Sequence, residues 1–200
     1  MRLVADQLSA ARSGRTLFTG VSFALADGDG LLLTGPNGSG KTTLLRVLAG
    51  FLAPSAGAVS LEGQEGEPGE HCHFVGHLPQ SKAGLSVRDN LDFDARFLGG
   101  GQMNRVDTAL AELGLAGLED IRAGYLSAGQ RRRLALARLL VANRPVWLLD
   151  EPSVSLDQAS VDVLARLIAA HRQAGGIVVA ATHVPLGLTG TTSLRLGGGS

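Results

Sequence analysis

Gly35-Pro36-Asn37-Gly38-Ser39-Gly40-Lys41-Thr42-Thr43 follows the apolar run Leu31-Leu32-Leu33-Thr34 and opens a helical pattern that continues to Leu52. The stretch fits G-x-x-x-x-G-K-[ST], with the strand before it and the helix after it that the pattern needs. Its glycines let the backbone wrap an anion without Cβ clashes. Lys41 supplies a point charge to β- and γ-phosphates, the Thr42 hydroxyl is placed to ligate Mg²⁺, and Thr43 is a further donor to the α-phosphate. A glycine turn that precedes a lysine by chance would lack these flanks. Far downstream, Leu126-Ser127-Ala128-Gly129-Gln130 opens a second helix at a second glycine-containing turn. Two helix N-termini, each with free N–H groups and a positive dipole end, suggest one triphosphate gripped from two sides.

Other apolar runs extend the pattern. Val146-Trp147-Leu148-Leu149 and Ile177-Val178-Val179-Ala180-Ala181 read, like Leu31 to Thr34, as strands buried on both faces of a mostly parallel sheet. The first ends in Asp150-Glu151. At a strand tip Asp150 can hold Mg²⁺ through water, and Glu151 can orient or deprotonate an attacking water; the bland alternative is an acidic pair at the end of a strand. Ser22 to Leu25 and Ala58 to Leu61 alternate instead, which suggests an antiparallel layer. Asn90 to Leu98, Val106 to Leu113 and Gln130 to Leu140 are helical patterns, so roughly 85–140 is expected to be a helical subdomain inserted into an α/β core.

Composition narrows the partners. The 200 residues, 44% of them hydrophobic, suffice for one domain with a substantial core. Lys+Arg and Asp+Glu balance at 18 each, so the basic field of a nucleic-acid binder is missing. Arg131-Arg132-Arg133 fans around a helix at about 100° per residue and forms no stripe; local ion pairing on a solvated face is the expectation. The single Cys72 fits a reducing compartment. No run approaches the roughly 20 apolar residues of a membrane span, so membrane contact is expected to pass through a partner. His71-Cys72-His73, with His77 nearby, invites a metal or haem reading. In an extended segment, however, Cys72 faces away from the two histidines, and no second Cys/His cluster completes a tetrahedral set. A strand–loop segment is expected there.

LSAGQ resembles the LSGGQ signature of ATP-binding-cassette (ABC) ATPases, and the order phosphate loop, LSAGQ, Asp-Glu, Thr182-His183 matches that family along nearly the whole chain. The resemblance implies a P-loop NTPase of ABC type: a RecA-like, mostly parallel sheet core, an antiparallel β layer and an inserted helical subdomain. It implies that Ser127, Gly129 and Gln130 complete the nucleotide site of a second copy, so that a head-to-tail homodimer closes around two Mg-ATP molecules. It also implies that His183 bonds the γ-phosphate and links it to Glu151, and that Ser155-Leu156-Asp157 touches the opposite site. The family's coupling glutamine is less regular here. Counting back from Leu85-Ser86-Val87-Arg88-Asp89-Asn90-Leu91 lands on His77, so either His77 replaces the glutamine or Gln80 reaches in. The aromatic that stacks on adenine is also missing from Leu8 to Gly14, leaving Arg12 or Phe18 for that role.

Gly124 to Leu140, Arg144 to Pro152 and Gly76-His77 resemble, more narrowly, the ATP-binding subunits of the bacterial haem exporter of cytochrome c biogenesis. That likeness implies integral-membrane partner subunits, a position at the cytoplasmic face of the inner membrane, and a groove around residues 80 to 100 for a partner helix. An ABC ATPase serving another substrate is the nearest alternative. A non-transport ABC ATPase would usually bring a second cassette, a long coiled coil or a basic surface.

Overall fold

A computed structural model describes residues 1–12, 14–78, 80–98, 104–182, 186 and 190–197. Two sheets carry the chain. The first joins β1 (Arg2–Arg12), β2 (Arg15–Ala26) and β4 (Ala56–Glu62) in the order β2-β1-β4, all antiparallel. The second joins β3 (Gly30–Thr34), β5 (Cys72–Val75), β6 (Val146–Asp150), β7 (Ile177–Ala181) and β8 (Thr192–Arg195) in the order β5-β6-β7-β3-β8, all parallel. The alternating stretches thus lie in the antiparallel layer and the continuous apolar runs in the parallel sheet.

Alternation along the parallel strands builds two cores. Val146, Leu148, Ile177 and Val179 point toward the antiparallel sheet and α1 (Lys41–Leu48), where Leu44, Leu45 and Leu48 are fully buried. Trp147, Leu149, Val178 and Ala180 point the other way, into a second core shared with helices α2 (Val87–Phe97), α3 (Asn104–Glu112), α4 (Ala128–Val141) and α5 (Gln158–Gln173). A sheet covered on both faces needs apolar residues at every position, which is why its strands read as unbroken runs.

Helix starts follow local chemistry. Ser86 and Asp89 form a capping box on α2, Ser127 and Gln130 form another on α4, and Asp157 caps α5 by accepting from the Ser160 N–H at 2.9 Å. The start of α1 differs: Gly40, at φ 100°, leads into it, and no side chain caps it among the described residues. Its first N–H groups are therefore free for an anion. The helix stops at Leu48, short of the expected Leu52. Helix α5 has no counterpart in the elements expected from sequence. His71 ends a short 3₁₀ turn, Pro68–His71, so only residues from Cys72 on are extended. No helix among the described residues is long and apolar enough to cross a membrane.

Candidate active site

The C-terminal ends of β3 and β6 face one cleft of about 410 Å³, lined by Arg12, Leu17, Asn37, Gly38, Lys41, Thr42, Thr43, His77, Asp150 and Glu151 among others. Lys41 is nearly buried, and its ammonium donates to Gly35 O at 2.8 Å and Pro36 O at 3.1 Å. The loop thus holds its lysine folded back over its own carbonyls. Gly35 has φ 134°, and a Cβ there would overlap Leu196 O, so a side chain would force the loop off the end of β8. Phe18 supports the loop from below: it is buried, and a Cβ on Gly40 would lie 2.9 Å from its ring. Phe18 is therefore part of the core, while Arg12 and Leu17 line the cleft.

Thr42 donates its hydroxyl to both Asp150 oxygens, at 2.9 and 3.2 Å. These are hard oxygen donors brought together from α1 and β6, the kind of set Mg²⁺ takes. Asp150 is buried at the end of β6. Glu151 follows in a left-handed conformation, φ 48°, uncommon for a residue with a Cβ. Its N–H donates to Ala181 O at 2.8 Å, tying it to the end of β7. His183 lies two positions further on and outside the described residues.

The two candidates for the coupling position separate clearly. His77 lines the cleft with Asp150 and Glu151. Gln80 instead accepts from Arg138 Nη1 at 3.2 Å, and Arg138 also forms a bidentate ion pair with Asp94 of α2, at 2.6 and 3.1 Å. Gln80 is thus engaged with helix α4.

The signature turn lies away from this cleft. Ser127 and Ala128 are exposed, and Ser127 Oγ accepts from the Gln130 N–H at 3.2 Å while Gln130 Oε1 accepts from the Ser127 N–H at 2.8 Å. Gln130 therefore serves its own helix start. A Cβ on Gly129 would stand 3.0 Å from Ser155 O, so the absent side chain lets the 152–157 loop pack under the signature turn. Ala128 is exposed.

The three arginines after the signature depart from expectation. Their donors go to backbone carbonyls: Arg131 to Leu126 O, Arg133 to Leu113 O at 3.2 Å and Gly114 O at 2.9 Å, and Arg132 to five carbonyls around the cleft. Arg132 is only 2% exposed, not on a solvated face. Burial pulls its pKa below the ordinary arginine value, and the charges of Asp150 and Glu151 oppose that pull. A signal for it existed in the sequence. Arg132, Ala135, Leu136 and Leu139 fall at i, i+3, i+4 and i+7, and all four are buried.

The His71-Cys72-His73 segment splits up. His71 Nε2 faces Glu65 O at 2.7 Å, and Cys72 Sγ donates to Pro68 O at 3.2 Å. Burial pushes the Cys72 thiol up to about 12, with Arg144 opposing. His73 is buried on the α4 side of the sheet, opposite the strand position of Trp147.

Residues 18–154 match the family model described as ABC transporter. The chain belongs to the ABC transporter family. It is an ABC-type ATPase that binds ATP. Curated relatives span its full length. The cytochrome c biogenesis ATP-binding export protein CcmA of Chelativorans sp. (strain BNC1) is 52% identical, covering 100% of both chains. CcmA of Rhizobium meliloti (strain 1021) is also 52% identical, covering 99% of each. Among solved structures, a putative ABC transporter ATP-binding protein from Pyrococcus furiosus superposes with a TM-score of 0.84 over 98% of each chain at 24% identity, a likeness of fold. The cbiO1 protein from Clostridium perfringens, part of the ABC transporter complex cbiONQ, is 28% identical with a TM-score of 0.72, covering 91% of this chain and 78% of that one.

Proposed function

We propose that the chain is the ATP-hydrolysing subunit of a membrane complex that exports or delivers haem for c-type cytochrome biogenesis. The observation that carries this reading is the 52% identity, end to end, with proteins named for that process. Integral-membrane subunits would anchor it at the cytoplasmic face of the inner membrane. Helices α2 to α4, over roughly residues 85–140, would act as the inserted subdomain that meets them.

In the cleft, Lys41 would bind the β- and γ-phosphates and the N–H groups of residues 38–43 would cradle them. Thr42 and, through water, Asp150 would hold Mg²⁺, which when bound neutralises charge on the same phosphates. Glu151 would take a proton from water as that water attacks the γ-phosphorus and the bond to the bridging oxygen breaks, giving ADP and phosphate. His183 would hold the γ-phosphate. Ser127 and Gly129 of a second copy would close the site, a role that suits the exposed Ser127 hydroxyl. His77, which lines the cleft wall, would report the nucleotide state to the partner-facing helices.

A strain whose chromosomal copy carries Lys41→Ala tests the reading. It should lose c-type cytochromes while other transport is intact; normal cytochrome content would refute it. Glu151→Gln should trap an ATP-bound dimer without turnover, and wild-type turnover in that variant would remove Glu151 as the base.

A further inference from the structure

Arg132 combines near-complete burial with five backbone-carbonyl acceptors. A guanidinium has five N–H donors in a rigid fork. Here Nε donates to Pro152 O at 2.9 Å, Nη2 to Asp150 O at 3.1 Å and Glu151 O at 2.6 Å, and Nη1 to Gly76 O at 2.6 Å and His77 O at 3.5 Å. Every acceptor is a backbone carbonyl at or just past the end of β5 or β6. Packing alone does not ask for this residue. Its neighbours on the same face of α4 are Ala135, Leu136 and Leu139, and an apolar side chain would fill the space without the cost of burying a charge.

The acceptors have an unusual arrangement. In an extended strand successive carbonyls point to opposite sides, so three consecutive ones, Asp150 to Pro152, cannot converge on one cation. They converge because Glu151 turns left-handed, at φ 48°. That conformation is unfavourable for a glutamate and persists only when its surroundings hold it. On its N–H side Ala181 O accepts at 2.8 Å; on its carbonyl side Arg132 donates at 2.6 Å. The other end of the same guanidinium grips Gly76 and His77. Arg132 itself sits on α4, five positions after the signature Ser127.

We propose that Arg132 is a positioning residue: it holds the Glu151 backbone in its left-handed turn, fixes that turn against the His77 strand end, and ties both to the helix that carries the signature. The Glu151 carboxylate then points at the attacking water only while α4 keeps its place against β5 and β6. The inference rests on the reading of Glu151 as the base. It makes Arg132 the link through which a displacement of α4 reaches the water-activating group.

The test uses the full chain with Arg132→Lys and Arg132→Gln, each alone and combined with Glu151→Gln. Steady-state and single-turnover hydrolysis of radiolabelled ATP are measured, with ATP affinity from a fluorescent analogue. Lysine keeps the charge but is a point donor that cannot span both strand ends, and glutamine offers two donors in place of five. Both should lower kcat by about tenfold or more while changing ATP affinity by less than about twofold. Neither should lower the residual single-turnover rate of the Glu151→Gln background any further, because the group they aim is already gone. Arg132→Lys turning over within about twofold of wild type would overturn the proposal. So would a fall in ATP affinity that matches the fall in kcat, or a full multiplicative loss of the single-turnover rate in the double variant. Wild-type turnover in Glu151→Gln alone would instead refute the base assignment, which keeps the two failures apart.

Discussion

His73 should make this fold acid-sensitive, and replacing it should remove part of that sensitivity. The ring is 3% exposed, and neither nitrogen has a hydrogen-bond partner among the described residues. Burial lowers its pKa from 6.5 to about 3, and the nearby cations Arg138 of α4 and Arg144 before β6 push the same way. Between those two values the unfolded chain binds a proton that the folded chain refuses. Stability therefore rises with pH through this window and is lost as pH falls, at about 1.4 kcal/mol per pH unit. From pH 7 to pH 5 the loss assigned to His73 is about 2 kcal/mol. His171, lowered from 6.5 to about 4 chiefly by burial, adds a loss of the same sign. The His73→Leu variant separates the two. Leucine removes two unsatisfied nitrogens at similar volume, so the variant should match or exceed wild type at pH 7. Urea denaturation at pH 7, 6 and 5 should then show the wild type losing about 2 kcal/mol more than the variant. Parallel pH profiles for the two proteins would show that His73 titrates alike folded and unfolded, and the argument from its burial would fail.

Three further outcomes follow from single contacts. Arg12 lines the cleft and is exposed, so Arg12→Ala should weaken ATP binding by about 0.5–2 kcal/mol, the range of a cation–π contact, with little change in melting temperature; Arg12→Tyr should restore affinity, and unchanged binding in Arg12→Ala would exclude Arg12 from the base site. The Asp94–Arg138 pair is largely buried, with side chains 12% and 15% exposed. Asp94→Ala should cost about 3–5 kcal/mol by denaturation, whereas Asp94→Leu with Arg138→Leu should recover most of it, because the cost lies in the stranded charge. Gly35→Ala should abolish nucleotide binding while leaving the circular-dichroism spectrum intact, since its Cβ would overlap Leu196 O and press on Ser39 Oγ at 2.9 Å; normal ATP affinity would mean the loop tolerates the φ of 134° with a side chain.

The sequence carried the parts of this molecule that depend on near neighbours in the chain. The phosphate loop reads clearly because a strand, a glycine turn and a lysine at a helix start are consecutive. The capping box at Ser127 and Gln130 is likewise local: Gln130 sits three residues after Ser127 and reaches back to its N–H at 2.8 Å. Choices between residues close in sequence required the fold. Phe18 and Arg12 are both near the first hairpin, but strand register sends Phe18 under Gly40 and leaves Arg12 at the cleft. His77 and Gln80 differ by three positions, yet His77 lines the cleft while Gln80 accepts from Arg138.

Arg131, Arg132 and Arg133 show the same limit in a stronger form. Adjacent residues on a helix point about 100° apart, so a run of three like residues must put its members in different surroundings. Composition says only that there is a charge; the face says whether it meets water. The apolar residues at 135, 136 and 139 place the middle arginine inward, and that reading requires following the helical period through a polar residue instead of stopping at it. Even then the partners are invisible. They are carbonyls, which every residue has, and they converge only because Glu151 turns left-handed at the tip of β6. A charge on the apolar face of a helix is thus better treated as a question about backbone acceptors across the core than as a solvated residue. Here the answer lies on the two strand ends that carry His77 and Glu151.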